Sequence, residues 1–105
     1  MVHHLSLYKL KKGVSEEALE TMIRRTRSLL LKIPEALAVR SGKRIDPDCV
    51  WPFFVAIDFE TRAKQAIFRD DPVYLKYLAE VIKPYTTEGL AVDYEMEPGK
   101  NVKYS

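Results

Sequence analysis

Hydrophobic residues along this chain follow two different spacings, one typical of β-strands and one typical of α-helices. Segments with the two spacings are arranged in turn along the sequence. Segments in which every second residue is apolar, or in which nearly all are, predict β-strands. Residues of turns separate them from the segments that follow, at Gly13 after the first and around Pro47 after the second. The four predicted strands are Val2–Leu10, 37–45, Phe53–Phe59 and 90–96.

Two stretches between the strands have helical spacing instead. The first begins after Ser15, a good N-cap that is followed by two glutamates where the helix dipole favours anions, and it ends at Pro34. The second has two pieces, a short one after Thr61 and a longer one that starts at Asp71–Pro72 and ends at Pro84. In the longer piece the predicted apolar stripe consists of Tyr74, Leu75, Leu78 and Ile82.

The order of these elements, βαββαβ, predicts an α+β fold of the ferredoxin-like type. This fold is a four-stranded antiparallel sheet with two helices on one face. The third strand is apolar on both sides, with Phe53, Val55 and Ile57 on one and Phe54 and Ala56 on the other. A strand of this kind is buried on both faces, but two helices cover only one. We therefore expect a homodimer in which two sheets pack face to face as a barrel-like core.

Composition narrows the class of protein. The 105 residues, 47% of them hydrophobic and 30% charged, fit one globular domain. A net charge of +2 gives no reason to expect nucleic acid as a partner. No apolar run approaches the roughly 20 residues of a membrane span, so we expect no membrane partner. Cys49 is the only cysteine and no leader is apparent, which favours the cytoplasm. We expect the domain at residues 1–97 and a mobile tail at 98–105.

The first strand carries most of the candidate chemistry. Because successive side chains of a strand point to opposite faces, His4, Ser6 and Tyr8 share one face and His3 lies on the other. The adjacent histidines therefore cannot hold one metal ion, and we expect neither a metal nor a cofactor. In the ferredoxin-like order the fourth strand lies antiparallel beside the first, which brings Asp93 near His4. A carboxylate orients a neighbouring imidazole, so the pair fits either a general base or a structural hydrogen bond.

Five segments together resemble a known family: residues 4–11, 13–17, 59–61, 71–74 and 92–95. In order and spacing they are similar to the stress-responsive A/B barrel (Dabb) family, over roughly residues 2–95. The resemblance implies a dimeric α+β barrel. Most members have no assigned activity, whereas a few plant relatives are polyketide cyclases that close an aromatic ring without a cofactor.

The cyclases of this family use a tyrosine and a histidine that this chain does not have. Aligned on Pro72, their positions are occupied by Phe68 and Tyr74. Phenylalanine has no proton to transfer, and a phenol with a pKa near ~10 is a poor base at neutral pH. The cyclase activity is therefore not carried over, and whether the protein is an enzyme stays open. His4 and Asp93 do match residues on the cavity wall of those relatives.

The resemblance also places a pocket between the sheet and the helices, with Leu5 and Leu7 on the dimer side. We expect its lining to be His4, Ser6, Tyr8, Phe53, Val55, Tyr74 and Asp93, with His4 and Asp93 as the candidate catalytic pair. Three functions remain open. The first is a homodimer that binds a small hydrophobic, oxygenated molecule. The second is a cofactor-independent cyclase, lyase or isomerase with His4 as base, and the third is a structural dimer without a ligand.

Overall fold

The computed structural model describes residues 1–97, and the expected tail at 98–105 lies outside them. Four strands and three helical segments follow one another in the predicted order. They are β1 (Val2–Leu10), α1 (Glu16–Leu30), β2 (Ala36–Lys43), β3 (Phe53–Phe59), α2 (Arg62–Arg69), α3 (Pro72–Tyr77) with a π-helical turn (Leu78–Ile82), and β4 (Thr86–Glu95). No helix among the described residues is both long and apolar enough to span a bilayer.

Two strand boundaries differ from those expected by two residues or more. Strand β2 ends at Lys43 rather than at residue 45, because Lys43 pairs with Phe53, the first residue of β3. Strand β4 begins at Thr86, four residues before the expected start at 90. The polar residues before Leu90 carry no strand pattern of their own, and they are extended because β1 pairs with them as far as Leu10.

The sheet has the order β2-β3-β1-β4, and every pair of neighbouring strands is antiparallel. Strand β1 is therefore paired on both sides. Its residue His4 lies across from Ile57 of β3 and from Asp93 of β4. This confirms the predicted α+β architecture and the predicted pairing of the first and last strands.

The hydrophobic core lies between the helices and one face of the sheet. Helix α1 begins where the Ser15 hydroxyl accepts a hydrogen bond from the amide of Ala18 at 3.0 Å. The buried face of α1 packs against the side chains of β3 that point from the sheet toward the helices. Full burial of one such side chain stabilises the fold by about 1.5–3 kcal/mol. The largest fully buried side chains are Phe53, Phe59, Phe68, Met22, Leu30, Ile33 and Ile57.

The other face of the sheet, which we call the open sheet face, is apolar too. Leu5 and Leu7 of β1 lie on it, as predicted, because Ser6 between them is buried on the helix side. In the register of the sheet they share the face with Phe54, Ala56, Leu90, Val92 and Tyr94. The last three are exposed in the single chain. A surface of this composition is typical of an interface.

The stripe predicted for the second helical stretch is wrong in part. Leu75 is 52% exposed, whereas Tyr77 and Val81 are buried in its place. Both stripes fit helical spacing. The observed stripe includes the hydroxyl group of Tyr77, which has a hydrogen-bond partner in the core. The hydroxyl groups of Tyr77 and Thr26 are 2.7 Å apart inside the core. A buried tyrosine with a hydrogen-bonded hydroxyl is stable where an unpaired one is not.

Candidate functional site

One hydrogen-bonded chain runs along the helix side of β1. The Nδ1 atom of His4 lies 2.6 Å from Oδ1 of Asp93, its partner across the strand pair. The other ring nitrogen of His4, Nε2, lies 2.9 Å from Oγ of Ser6. The two residues that strand order alone placed side by side are therefore in direct contact, and both nitrogens of the imidazole have a partner.

Helix α2 supplies two further partners to the Asp93 carboxylate. Gln65 donates a hydrogen bond from Nε2 to Oδ1 at 2.9 Å, and Arg69 donates from Nη2 to Oδ2 at 3.1 Å. Partial burial alone would raise the pKa of Asp93, but the hydrogen bonds from His4 and Gln65 and the charge of Arg69 lower it. Asp93 is therefore ionised at neutral pH.

The ionised carboxylate determines where the protons of His4 lie. An ionised carboxylate only accepts hydrogen bonds, so the Nδ1 atom of His4 donates to Asp93. In the neutral imidazole Nε2 then accepts, and the Ser6 hydroxyl donates to it. The His4 side chain is 13% exposed and that of Asp93 is 41% exposed, so the pair lies at the margin of the core.

Tyr8 continues the same face of β1 beyond Ser6. Its ring stacks on Phe53 with centroids 5.8 Å apart and lies against the backbone of Gly89, where a Cβ atom would come within 3.0 Å of it. Burial raises the pKa of the Tyr8 phenol, and a side-chain hydrogen bond with Ser6 acts in the opposite direction. Tyr8 is therefore a neutral phenol held beside the Ser6 hydroxyl.

The other expected lining residues lie deeper or farther away. Phe53 and Val55 are buried in the core and lie beside the chain of hydrogen bonds, as the partners of Tyr8 and Ser6 on β3. Tyr74 packs on Phe68 with ring centroids 4.6 Å apart, and burial raises its pKa to about 12. Tyr74 is accordingly no base at neutral pH, as expected for a phenol in the place of the cyclases' histidine.

Two grooves open at the two ends of this chain. The Asp93 groove, about 600 Å³, is polar and includes Gln65, Arg69 and Asp93. The Tyr8 groove, about 540 Å³, is largely apolar, and its walls include Tyr8, Leu75, Leu78, Ile82 and Gly89. Both volumes fall in the range of about 300–1,000 Å³ that is typical of small-molecule sites.

A second histidine–aspartate pair lies on the open sheet face. The Nδ1 atom of His3 is 2.7 Å from Oδ1 of Asp58, to which Arg40 also donates at 2.9 Å. The Nε2 atom of His3 is buried, and within residues 1–97 no hydrogen-bond partner reaches it. The two histidines thus face opposite sides, as the strand alternation predicted. Across the same residues, no three metal-ligating side chains form a cluster.

Gln65 and Arg69 are the residues of this site that sequence reasoning missed. Gln65 is buried one helical turn before Phe68, which makes it a polar residue on the apolar stripe of α2. That position is the signal available in the sequence, because a buried amide needs a hydrogen-bond partner. Arg69 carries no comparable signal, since arginines at the ends of helices are usually solvated.

The fold and the position of the site define a ferredoxin-like α+β domain with its candidate site between sheet and helices. The chain belongs to the Stress Responsive A/B Barrel Domain (Dabb) family, whose family model matches residues 2–96. Comparison of the sequence with curated proteins finds no match.

Solved structures have the same fold. A Dabb family protein from Mesorhizobium loti is 17% identical, covers 91% of this chain and 96% of its own, and superimposes with a TM-score of 0.79. A dimeric ferredoxin-like protein of unknown function from Thermobifida fusca is 22% identical, with 90% of each chain covered and a TM-score of 0.80. The hydroxynitrile lyase from Passiflora edulis is 18% identical, with 92% and 94% covered and a TM-score of 0.79. At these identities the likeness establishes the fold alone.

Proposed function

We propose that this protein is a homodimer that binds a small hydrophobic molecule carrying oxygen groups, beside the His4–Asp93 pair between sheet and helices. The observation that carries the proposal is the fully hydrogen-bonded imidazole of His4, set between a polar and an apolar groove. The proposed contact residues are His4, Ser6, Tyr8 and Asp93, with Phe53 and Val55 beside them on β3 and Tyr74 on α3.

The open sheet face supports the homodimer. Its apolar side chains, among them Leu90, Val92 and Tyr94, are exposed in the single chain. Closing two such faces against each other removes them from water, and stable interfaces bury about 1,200–2,000 Å² in total. Several solved structures with this fold are described as dimeric.

The chemistry of the grooves supports the class of ligand. An apolar body fits against Leu75, Leu78 and Ile82, and an oxygen group fits near the phenol of Tyr8, which lines the same groove. Pockets with apolar walls and a few convergent polar groups are the usual form of small-molecule sites.

A cytoplasmic location, expected from the single cysteine, stays a prediction.

Native mass spectrometry of the protein purified from its own host tests both parts. We expect the mass of a dimer together with a retained small molecule. In His4→Phe we expect the dimer without the retained mass, whereas Lys12→Gln, a change in an exposed loop, keeps both. A dimer that never carries a ligand would contradict the binding function and favour a structural role. Single chains would contradict the homodimer.

A second candidate function is cofactor-independent proton transfer with His4 as base. It is favoured by the hydrogen bond between Nδ1 of His4 and ionised Asp93, which orients the imidazole as a general base requires. Turnover of a panel of hydroxynitriles and aromatic polyketide-like compounds tests it. We expect activity that His4→Ala abolishes while the dimer persists. If the unmodified protein binds these compounds without turnover, the second candidate function is wrong and the site only binds its ligand.

A further inference from the structure

The Tyr8 groove has an apolar wall that the single chain leaves open. Helix α3 supplies Leu75 to this wall, and the π-helical turn supplies Leu78 and Ile82. Leu75 is 52% exposed, which is unusual for a leucine that follows a buried helical face. On β4, Gly89 leaves room for the Tyr8 ring, and both residues line the groove. The groove can therefore take the apolar body of a small molecule.

Two charged side chains, Glu88 and Lys83, also line this groove, and they differ in their partners. Oε2 of Glu88 lies 3.0 Å from Nζ of Lys9, so the charge of Glu88 is compensated within the chain. Lys83 forms no ion pair with any carboxylate of residues 1–97. The groove thus combines apolar walls with one positive charge that the described part of the chain leaves uncompensated.

The π-helical turn determines where this lysine lies. The amide of Lys83 donates to the carbonyl of Leu78 at 2.8 Å, and Leu78, Ala79 and Ile82 of the turn all line the groove. The hydroxyl of Thr86 donates to the carbonyl of Ile82 at 2.9 Å, which joins the end of the turn to β4. Turns of this kind are rare and occur frequently at functional sites. The backbone of Lys83 is therefore fixed beside the groove, and its exposed side chain can reach a ligand.

We infer that the Tyr8 groove takes a monocarboxylic acid with an apolar body, and that Lys83 pairs with its carboxylate. The inference rests on the proposed function, in which this groove holds the apolar part of the ligand, and it assigns the class of that ligand. One uncompensated lysine matches a single negative charge, which favours a carboxylate over a phosphate ester with close to two charges. The neutral phenol of Tyr8 adds a hydrogen-bonding group without adding charge.

A matched pair of probes tests the role of the charge. 4-Phenylbutanoate and 4-phenylbutanamide have the same apolar body, and isothermal titration calorimetry compares their affinities for the full-length protein. We expect the carboxylate to bind about fivefold more tightly, the upper value for an ion pair that is open to solvent. Lys83→Gln should bind the two probes equally. The control is Lys76→Gln, which removes an exposed lysine of α3 outside this groove and should keep the preference.

A second pair of variants tests whether the probes bind in this groove. Leu75 and Ile67 are exposed to nearly the same extent, 52% and 54%, but only Leu75 lines the groove. We expect Leu75→Gln to weaken the binding of both probes by about fivefold, because it removes part of the apolar wall. Ile67→Gln should leave both affinities unchanged. Both side chains lie outside the core, so we expect both variants to fold.

The outcomes separate this inference from the proposed function. Equal affinity of the unmodified protein for the two probes, or a preference that persists in Lys83→Gln or disappears in Lys76→Gln as well, would overturn the role of Lys83. Unchanged binding in Leu75→Gln would place the acid at another surface and overturn the choice of groove. If neither probe binds, the ligand class is wrong. The native mass measurement, which uses neither probe, still decides the proposed function.

Discussion

Two neighbouring histidines on β1 show how the same pair of groups acquires different surroundings. His4 meets Asp93 at 2.6 Å and His3 meets Asp58 at 2.7 Å, and each aspartate also accepts a hydrogen bond from an arginine. The difference lies at the second ring nitrogen. In His4 it has the Ser6 hydroxyl, whereas in His3 it is buried and unpartnered within the described part of the chain.

This difference follows from the two faces of the sheet. On the helix side, one chain provides every partner that His4 needs. On the open sheet face, residues 1–97 of a single chain leave apolar side chains exposed and provide no hydrogen-bond partner for one ring nitrogen of His3. A buried polar atom without a partner costs about 1–3 kcal/mol, which makes this face incomplete by itself. The comparison agrees with a ligand site on one side of β1 and an interface on the other.

The largest expected effect comes from a charge on the open sheet face. Leu7→Glu places a carboxylate among Leu5, Phe54 and Leu90, so we expect it to weaken dimer association by about 2–4 kcal/mol. Sedimentation velocity at micromolar concentration measures this. Leu31→Glu, at a 55% exposed leucine that follows the last residue of α1, is the control and should leave the dimer intact. A dimer that persists in Leu7→Glu would assign the interface to another surface.

The two aspartates should differ in their contribution to stability. The Asp58 side chain is 13% exposed and holds both His3 and Arg40, whereas that of Asp93 is 41% exposed. We expect Asp58→Ala to lower the free energy of unfolding by about 2–3 kcal/mol. Asp93→Ala should cost about 1 kcal/mol, because solvent screens its ion pair. Urea unfolding of both variants measures the difference, and the reverse order would contradict the contrast between the two pairs.

Two glycines extend the comparison to the aromatic rings on either face. A Cβ atom at position 89 would lie 3.0 Å from the Tyr8 ring, and one at position 42 would lie 2.8 Å from the Phe54 ring. Tyr8 is held between Gly89 and Phe53, so we expect Gly89→Ala to destabilise the fold by about 1–2 kcal/mol. Phe54 borders the open sheet face, and in a single chain its ring has room to move. Thermal unfolding should therefore show the smaller loss for Gly42→Ala under conditions that dissociate the dimer.

The smallest expected effect is on the dependence of stability on pH. Because the folded state lowers the pKa of Asp93 from its ordinary value of 3.8, the stabilisation is present above that value and is lost as the pH falls through the folded-state pKa. Asp93→Asn should therefore lose less stability than the unmodified protein on acidification below about pH 4, by less than about 1 kcal/mol. Melting temperatures measured across this range test it, and parallel curves would mean that Asp93 gains nothing from its partners.

Much of the fold was predictable because it depends on periodicity. Alternation along β1 placed His4 and His3 on opposite faces, and strand order placed Asp93 beside His4. Alternation did not decide which face meets the helices, and the family resemblance was needed to assign Leu5 and Leu7 to the open one. The start of β4 was not predictable from its own residues, since pairing with β1 extends it.

The details of the site depend on distances that periodicity does not contain. The position of α2 over the sheet brings Gln65 and Arg69 to Asp93, and that position is determined by packing rather than by spacing in the sequence. The contact between Ser6 and His4 likewise depends on side-chain rotamers. Alternation predicts that the two share a face, and says nothing about whether their polar atoms meet.

The π-helical turn at Leu78–Ile82 has a consequence for comparing this chain with its relatives. Its hydrogen bond from the amide of Lys83 to the carbonyl of Leu78, 2.8 Å long, encloses one residue more than an ordinary α-helical turn. Deleting a single residue there would restore regular α-helix and rotate the preceding side chains by about 100° relative to β4. Members of the family that lack this extra residue should therefore present different side chains to Tyr8, and an alignment that places no gap here would match the wrong groove residues.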